Sequence, residues 1–289
     1  MKVAVIGPVT KDVKIIDNER ISGMGGIPFY IGNTLKALGV DVTAFVSHGK
    51  EDDEWVENNF SGVKVSHIHC EGTLKVTHKF STKNPDKRDI STTHFKNRIR
   101  LDNISNISSF DWISLGPLLN ENMDEDFFKS LPKDKVIFNN FGLLNYHEDK
   151  KWVYKHPERL VNMVKYFEFM ILDEEEVLFA TSNKSVVEAV KFLQKKGLRN
   201  LAVTKGSRGS TIFIKNRVYE IPAYTPKRFV DTTGCGDTYV AGLIKGLELF
   251  DDFQKIGEFA AMVSTMRIEN NGPFNKSLED VYERLNHER

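Results

Sequence analysis

Long apolar runs are missing from this chain. A membrane-spanning helix needs roughly 18–20 consecutive apolar residues, and no such run occurs in the 289 residues. Cysteine is scarce, with only Cys70 and Cys235 present. Two thiols in a chain this long make no disulfide framework, and a reducing compartment suits them. There is no surplus of charge either. Lys+Arg and Asp+Glu each number 40, for a formal net charge of zero. That removes the electrostatic ground for expecting a nucleic acid or an acidic membrane as partner. The opening Met1-Lys2-Val3-Ala4-Val5-Ile6-Gly7 meets charge too soon for a signal peptide and reads as a buried first strand. A soluble, cytoplasmic chain is expected. Two phosphate-binding patterns are also absent. Gly-x-x-x-x-Gly-Lys-Ser/Thr occurs nowhere, and Pro8 follows Gly7 where a dinucleotide fold would continue Gly-x-Gly-x-x-Gly.

What the chain does have is alternation. Short runs rich in Val, Ile and Phe recur at residues 3–6, 42–46, 112–115, 136–138, 169–172 and 201–204. Such runs suit strands buried on both faces. Helical patterns lie between many of them, at 28–38, 157–167 and 184–196, the first and last stopped by Gly39 and Gly197. This predicts an α/β fold with a mostly parallel sheet. Residues 74–80 and 90–95 break the pattern as β-leaning runs joined by a turn containing Asn84-Pro85-Asp86. With 11–16 they form an expected small β lid, over about 11–22 and 73–96 of a single domain spanning 1–289. A second hairpin is expected from 211–214 and 218–221, and three helices over 238–250, 253–268 and 277–285 finish the chain.

The chemistry concentrates at Asp231-Thr232-Thr233-Gly234-Cys235-Gly236-Asp237, directly before a helical run. Glycines there let the backbone approach a ligand closely. The free N–H groups of Gly234, Cys235 and Gly236, at the positive end of a helix dipole, would face an anion. Asp237 beside them is a candidate proton acceptor, which phosphoryl transfer to a hydroxyl requires. Alone, the segment also reads as a turn with Asp237 capping a helix. Thr204-Lys205-Gly206-Ser207-Arg208-Gly209 reads either as a hairpin turn or as a nucleotide-facing loop. Gly23-Met24-Gly25-Gly26 forms a turn that a small ligand could approach, and Asp12 could accept hydrogen bonds from hydroxyls. Asp173-Glu174-Glu175-Glu176 suits a helix start, and a carboxylate there could also hold Mg²⁺ through water. His67-x-His69-Cys70 reads as an ordinary strand, since a zinc site would need further ligands that no pattern supplies.

In this order, the segments resemble the ribokinase-like carbohydrate kinases, the PfkB family, from Val3 to about Leu285. The stretch 231–237 is similar to that family's Asp-Thr-x-Gly-Ala-Gly-Asp signature, with Cys235 replacing alanine. Gly25-Gly26, Leu38-Gly39, Gly49-x-x-Asp52 and the Thr204 loop fall in register with it. The resemblance implies a doubly wound α/β core with a β lid and transfer of the ATP γ-phosphoryl to a hydroxyl. It implies Asp237 as general base and Gly234, Cys235 and Gly236 as an anion hole. Thr204, Gly206, Ser207, Gly209, Asp173 and Gly272 would serve the nucleotide, and Asp12, Gly25, Gly26 and Tyr30 the acceptor. Glu176 would serve Mg²⁺, and Asp231, with Thr233, a monovalent cation. The family's Asn-x-x-Glu motif appears here with Asp173 in place of asparagine. Tyr30 near the Gly-Gly pair turns the expected acceptor from ribose or fructose towards a polyol such as inositol, or a nucleoside. Pairing of two lids into a homodimer is a further expectation. The rival reading is a catalytically weak ligand-binding module on the same fold.

Overall fold

The computed structural model describes residues 1–288 apart from Asn18, Thr82, Lys83, His94, Asn140 and Phe141. The first part runs β1 (Lys2–Pro8), β2 (Thr10–Ile16), β3 (Glu19–Gly25), α1 (Ile27–Ala37), β4 (Asp41–Gly49), α2 (Asp53–Asn59), β5 (Lys64–Cys70), β6 (Leu74–Ser81) and β7 (Asn84–Thr92). The middle follows as β8 (Trp112–Leu115), α3 (Glu125–Lys129), β9 (Val136–Asn139), β10 (Asn145–Glu148), β11 (Lys151–Tyr154), α4 (Pro157–Met163), β12 (Phe169–Asp173), α5 (Glu174–Thr181) and α6 (Val186–Lys195). The last part is β13 (Asn200–Thr204), β14 (Ser210–Ile214), β15 (Arg217–Ile221), α7 (Cys235–Leu249), α8 (Phe253–Ile268) and α9 (Leu278–His287).

Nine strands form the main sheet in the order β15-β14-β13-β12-β9-β8-β1-β4-β5. Every pair is parallel except β13–β14 and β14–β15. The apolar runs are continuous because each strand feeds two cores. In β1, Val3 and Val5 pack on one side of the sheet, and Ala4 and Ile6 on the other. In β12, Phe169 and Ile171 split from Met170 and Leu172 in the same way. The first side is covered by α1, α7 and α8, the second by α3, α4, α5 and α6. A third cluster joins α8 to α9 through Phe259, Met262, Val281 and Leu285.

A separate four-stranded sheet, ordered β3-β2-β6-β7, stands outside this sandwich. Here β2 runs antiparallel to β3 but parallel to β6. The glycine-rich stretch read as a turn in fact begins inside β3, and only Gly26 turns the chain into α1. The hairpin turn is also shorter than expected, because Asn84, Pro85 and Asp86 belong to β7. As an edge strand, β7 tolerates a proline that donates nothing to the ladder. Thr82 and Lys83, inside the expected turn, lie outside the described residues. The hairpin β10–β11 is a third, two-stranded sheet. Among the described residues no helix is long and apolar enough to cross a membrane.

Candidate active site

The carboxyl ends of β9, β12 and β13 carry Asn139, Asp173 and Thr204, which share one cleft of about 460 Å³. Its other walls are the four-stranded sheet, through Asp12, Val76 and His78, and the chain from Thr232 to Asp237. Ligands in open α/β folds bind outside these strand ends, and the second sheet here gives that crevice a roof.

Helix α7 begins inside the cleft, with Gly234 as N-cap at φ 77°. A side chain could not sit there, since a Cβ would lie 2.4 Å from the Tyr30 ring. The tight entry sets the N-terminus of α7 at the cleft wall, where an anion would meet the helix dipole. The Cys235 N–H bonds Thr232 O at 3.3 Å, and Ser264 holds the Cys235 carbonyl at 2.8 Å.

Asp237 lies on the first turn of α7 and lines the cleft. Burial pushes its carboxyl up to about 7, against the opposing pull of a hydrogen bond from Asn139 and of the Arg267 charge. Asn139 Nδ2 donates to Asp237 Oδ1 at 2.6 Å. Such a group changes charge near neutrality, as a general base must.

Asp231 has a different environment. It is fully buried. Its Oδ1 accepts from the N–H and hydroxyl of Thr233 at 2.9 and 2.8 Å. Its Oδ2 accepts from Lys14 Nζ at 2.5 Å and Arg267 NH2 at 3.0 Å. These two cations outweigh the desolvation that opposes them and hold its carboxyl well below the usual range. Lys14 comes from β2 and Arg267 from α8, so one carboxylate joins the second sheet, the signature loop and the last long helix.

Asp12 faces the cleft from β2, accepting from the Thr10 hydroxyl at 2.6 Å and lying 3.3 Å from His78 Nε2. Gly25 opposite must be glycine, because a Cβ would fall 2.1 Å from the Asp12 carboxylate. Burial raises the Tyr30 phenol above its ordinary range, so its proton is retained. At the mouth of β12, Asp173 Oδ1 accepts the Glu176 N–H at 2.7 Å and Glu176 Oε2 accepts the Asp173 N–H at 2.8 Å. This capping box starts α5. Burial raises the Asp173 carboxyl from its usual value.

Beyond Thr204 and Gly206 a second cavity of about 470 Å³ continues from the first. Ser207, Gly209, Tyr224, Phe229, Tyr239 and Ile268 line it. Two adjoining chambers, one bearing the carboxyl groups of Asp12, Asp173, Glu176 and Asp237 and one the rings of Tyr224, Phe229 and Tyr239, meet at the N-terminus of α7.

The profile of the pfkB family of carbohydrate kinases matches residues 6–280. This chain belongs to that family. Local relatives include a nucleoside kinase of Methanocaldococcus jannaschii, 31% identical over 115 residues, which are 40% of this chain and 37% of that protein. A 1-phosphofructokinase of Borreliella burgdorferi is 25% identical over 264 residues, 84% of this chain and 81% of that protein. The matches to the nucleoside kinase and to a putative sugar kinase of Pyrococcus horikoshii span little more than a third of those proteins. Among solved structures, a pyrophosphate-dependent ribokinase-family kinase complexed with a pyrophosphate analog and myo-inositol superposes with a TM-score of 0.82 at 21% identity, over 98% of this chain and 99% of that one. The fold is therefore ribokinase-like.

Within this pfkB chain, most of the expected site residues gather at the two cavities. Asp12, Gly26, Tyr30, Asp173, Glu176, Thr204, Gly206, Gly234, Cys235, Gly236 and Asp237 line the first, and Ser207 and Gly209 the second. Gly25 stands behind Asp12. Gly272 lines neither cavity and lies in the turn between α8 and α9. The sequence reading missed Asn139, His78, Lys14 and Arg267. No motif carries them, and their partners are remote in the chain.

Proposed function

We propose that this pfkB-family protein transfers the γ-phosphoryl group of ATP to a hydroxyl of a small polyhydroxylated acceptor: a sugar, a polyol such as inositol, or a nucleoside. The observation that carries this is the Asn139–Asp237 pair at the α7 N-terminus, where the two cavities meet. The acceptor sits under the four-stranded sheet, the β lid of the expected single domain, with its hydroxyls towards Asp12 and His78. His78 Nδ1 is buried and makes no hydrogen bond among the described residues, so an acceptor hydroxyl would give it a partner. Asp237 takes the proton of the attacking hydroxyl as the new O–P bond forms and the bond to ADP breaks. Charge on the equatorial phosphoryl oxygens meets the N–H groups of Gly234 and Gly236, with that of Cys235 joining them by giving up its 3.3 Å bond to Thr232 O. Mg²⁺ supplies charge neutralisation on the donor phosphates, and Glu176 with Asp173 would hold it through water. Paired carboxylates of this kind supply the oxygen ligands that a hard cation takes.

No monovalent cation is assigned to Asp231 in this reading. Lys14 and Arg267 already bring two positive charges to its carboxylate. A second donor, pyrophosphate, is raised by the structural neighbour. The aromatic-walled second cavity favours a nucleotide, because pyrophosphate has no base to fill it.

The test is ADP release from Mg·ATP across sugars, inositols and nucleosides, with pyrophosphate as a competing donor and Asp237→Asn alongside. Acceptor-dependent release that falls about 10²–10⁴-fold in the variant is expected. Acceptor binding with no release from either donor would instead favour the binding-module reading.

A further inference from the structure

The carboxyl ends of β4 and β5 hold three histidines that the cleft does not use. His48 is fully buried on β4, while His67 and His69 share a face of β5. Asp53 and Glu57, one turn apart on α2, face them. The hydrogen atoms of this cluster can be placed from its outer partners. His48 Nδ1 lies 2.8 Å from the Gly49 carbonyl, and His67 Nε2 lies 3.2 Å from a Glu57 carboxylate oxygen. Both partners can only accept, so both of those nitrogens carry protons. The inward nitrogens, His48 Nε2 and His67 Nδ1, are then left with lone pairs facing each other at 2.9 Å. Either a third proton on the pair, which makes one ring an imidazolium donating to the other, or a metal ion between the rings makes that separation favourable. Asp53 Oδ1 lies 3.7 Å from His67 Nδ1. His48, Asp53 and His67 offer ligand atoms that all lie within 4.8 Å of one another.

We propose that His48, His67 and Asp53 bind one transition-metal ion of the zinc class, separate from the Mg²⁺ of phosphoryl transfer. Bonds of about 2.0–2.1 Å in a tetrahedral site put ligand atoms about 3.3 Å apart. The two nitrogens lie 2.9 Å apart and Asp53 Oδ1 3.7 Å from His67 Nδ1, and a small swing of Asp53, which approaches His48 to 3.8 Å at Nδ1, would complete the set. Imidazole ligands select zinc and its neighbours over Mg²⁺. The outward N–H bonds to Gly49 and Glu57 are the usual outer partners of metal-bound histidines. His69 Nε2, 2.8 Å from Asp53 Oδ1, orients the carboxylate, and water completes the fourth position. The site is structural. Its ion would clamp β4, β5 and α2 beside Asp52, which holds Lys11 of β2 at 2.5 Å and Thr73, just before β6, at 2.6 Å. The base of the lid is thereby fixed.

Co²⁺ titration of the chelator-treated full chain, with Mg²⁺ in excess, tests this. One equivalent with a four-coordinate visible spectrum, displaced by Zn²⁺ and accompanied by a rise in Tm, is expected. His67→Asn should abolish that spectrum, Asp53→Asn should weaken binding at least about tenfold, and His156→Gln, far away on the surface, should keep both. No Co²⁺ bound by the wild type overturns the site, as does a spectrum and affinity unchanged in both His67→Asn and Asp53→Asn.

Discussion

Opposed influences act on the carboxyl of Asp237, the proposed base, and a pH dependence of turnover is expected from them. Burial lifts its carboxyl to about 7, while the Asn139 amide favours the charged form and pulls it down. The base works only when deprotonated, so kcat/KM should fall as pH drops through about 7. Asn139→Ala removes the donor to the charged form, which raises the carboxyl further and moves the acid limb to higher pH. A pH–rate profile of both proteins checks this, and an unmoved limb would exclude Asn139 as the tuning group. Asp237 was legible in the sequence as a candidate because glycines and a carboxylate stood together before a helix. Asn139 was not, because it stands 98 positions from Asp237 and belongs to no local pattern.

Arg267 belongs to the scale of elements. Its guanidinium is fully buried, pairs with Asp231 Oδ2 and donates to the carbonyls of Asp231 and Asn270 at 2.9 and 3.0 Å. It also lies 5.4 Å from the centre of the Tyr30 ring. The end of α8, the signature loop and α1 thus share one side chain. Arg267→Met should lower stability by about 3–5 kcal/mol, since breaking a buried pair strands its partner. Chemical denaturation measures it, and a loss under about 1 kcal/mol, the range of an exposed pair, would show Asp231 to be satisfied without it. At this scale the sequence was most readable where strands are buried on both faces, as in β1, β4, β8, β9, β12 and β13. It was least readable at the edges. In β5 only Ile68 is buried, so only its end, His67 to Cys70, was read as a strand. In β10 and β11 most side chains are only half-buried, and no turn signal separates them from their surroundings.

For the whole molecule, the Lys14–Asp231 contact means that the chain carries its own cations where a dissolved one was expected. Turnover at constant ionic strength should therefore be the same in sodium and in potassium salts. Stimulation by potassium of several-fold or more would show that the Asp231 region still takes a free ion. The expectation of a dimer through the lid is tested by sedimentation at two concentrations. A mass of 33.0 kDa at both would exclude it.

The same contact has a temporal side. Lys14 and Asp231 are 217 positions apart, and Arg267 comes later still. At a synthesis rate of about 5–20 residues per second, Lys14 emerges roughly 10–40 s before its carboxylate exists. Through that interval the lid strand can form its ladders, but its ammonium has nowhere to dock. Nascent or prematurely terminated chains would therefore hold Asp12 and Lys14 without the 231–237 segment that completes the cleft. The cleft would close only near the end of translation, when Asp231 and Arg267 meet Lys14 in one late step.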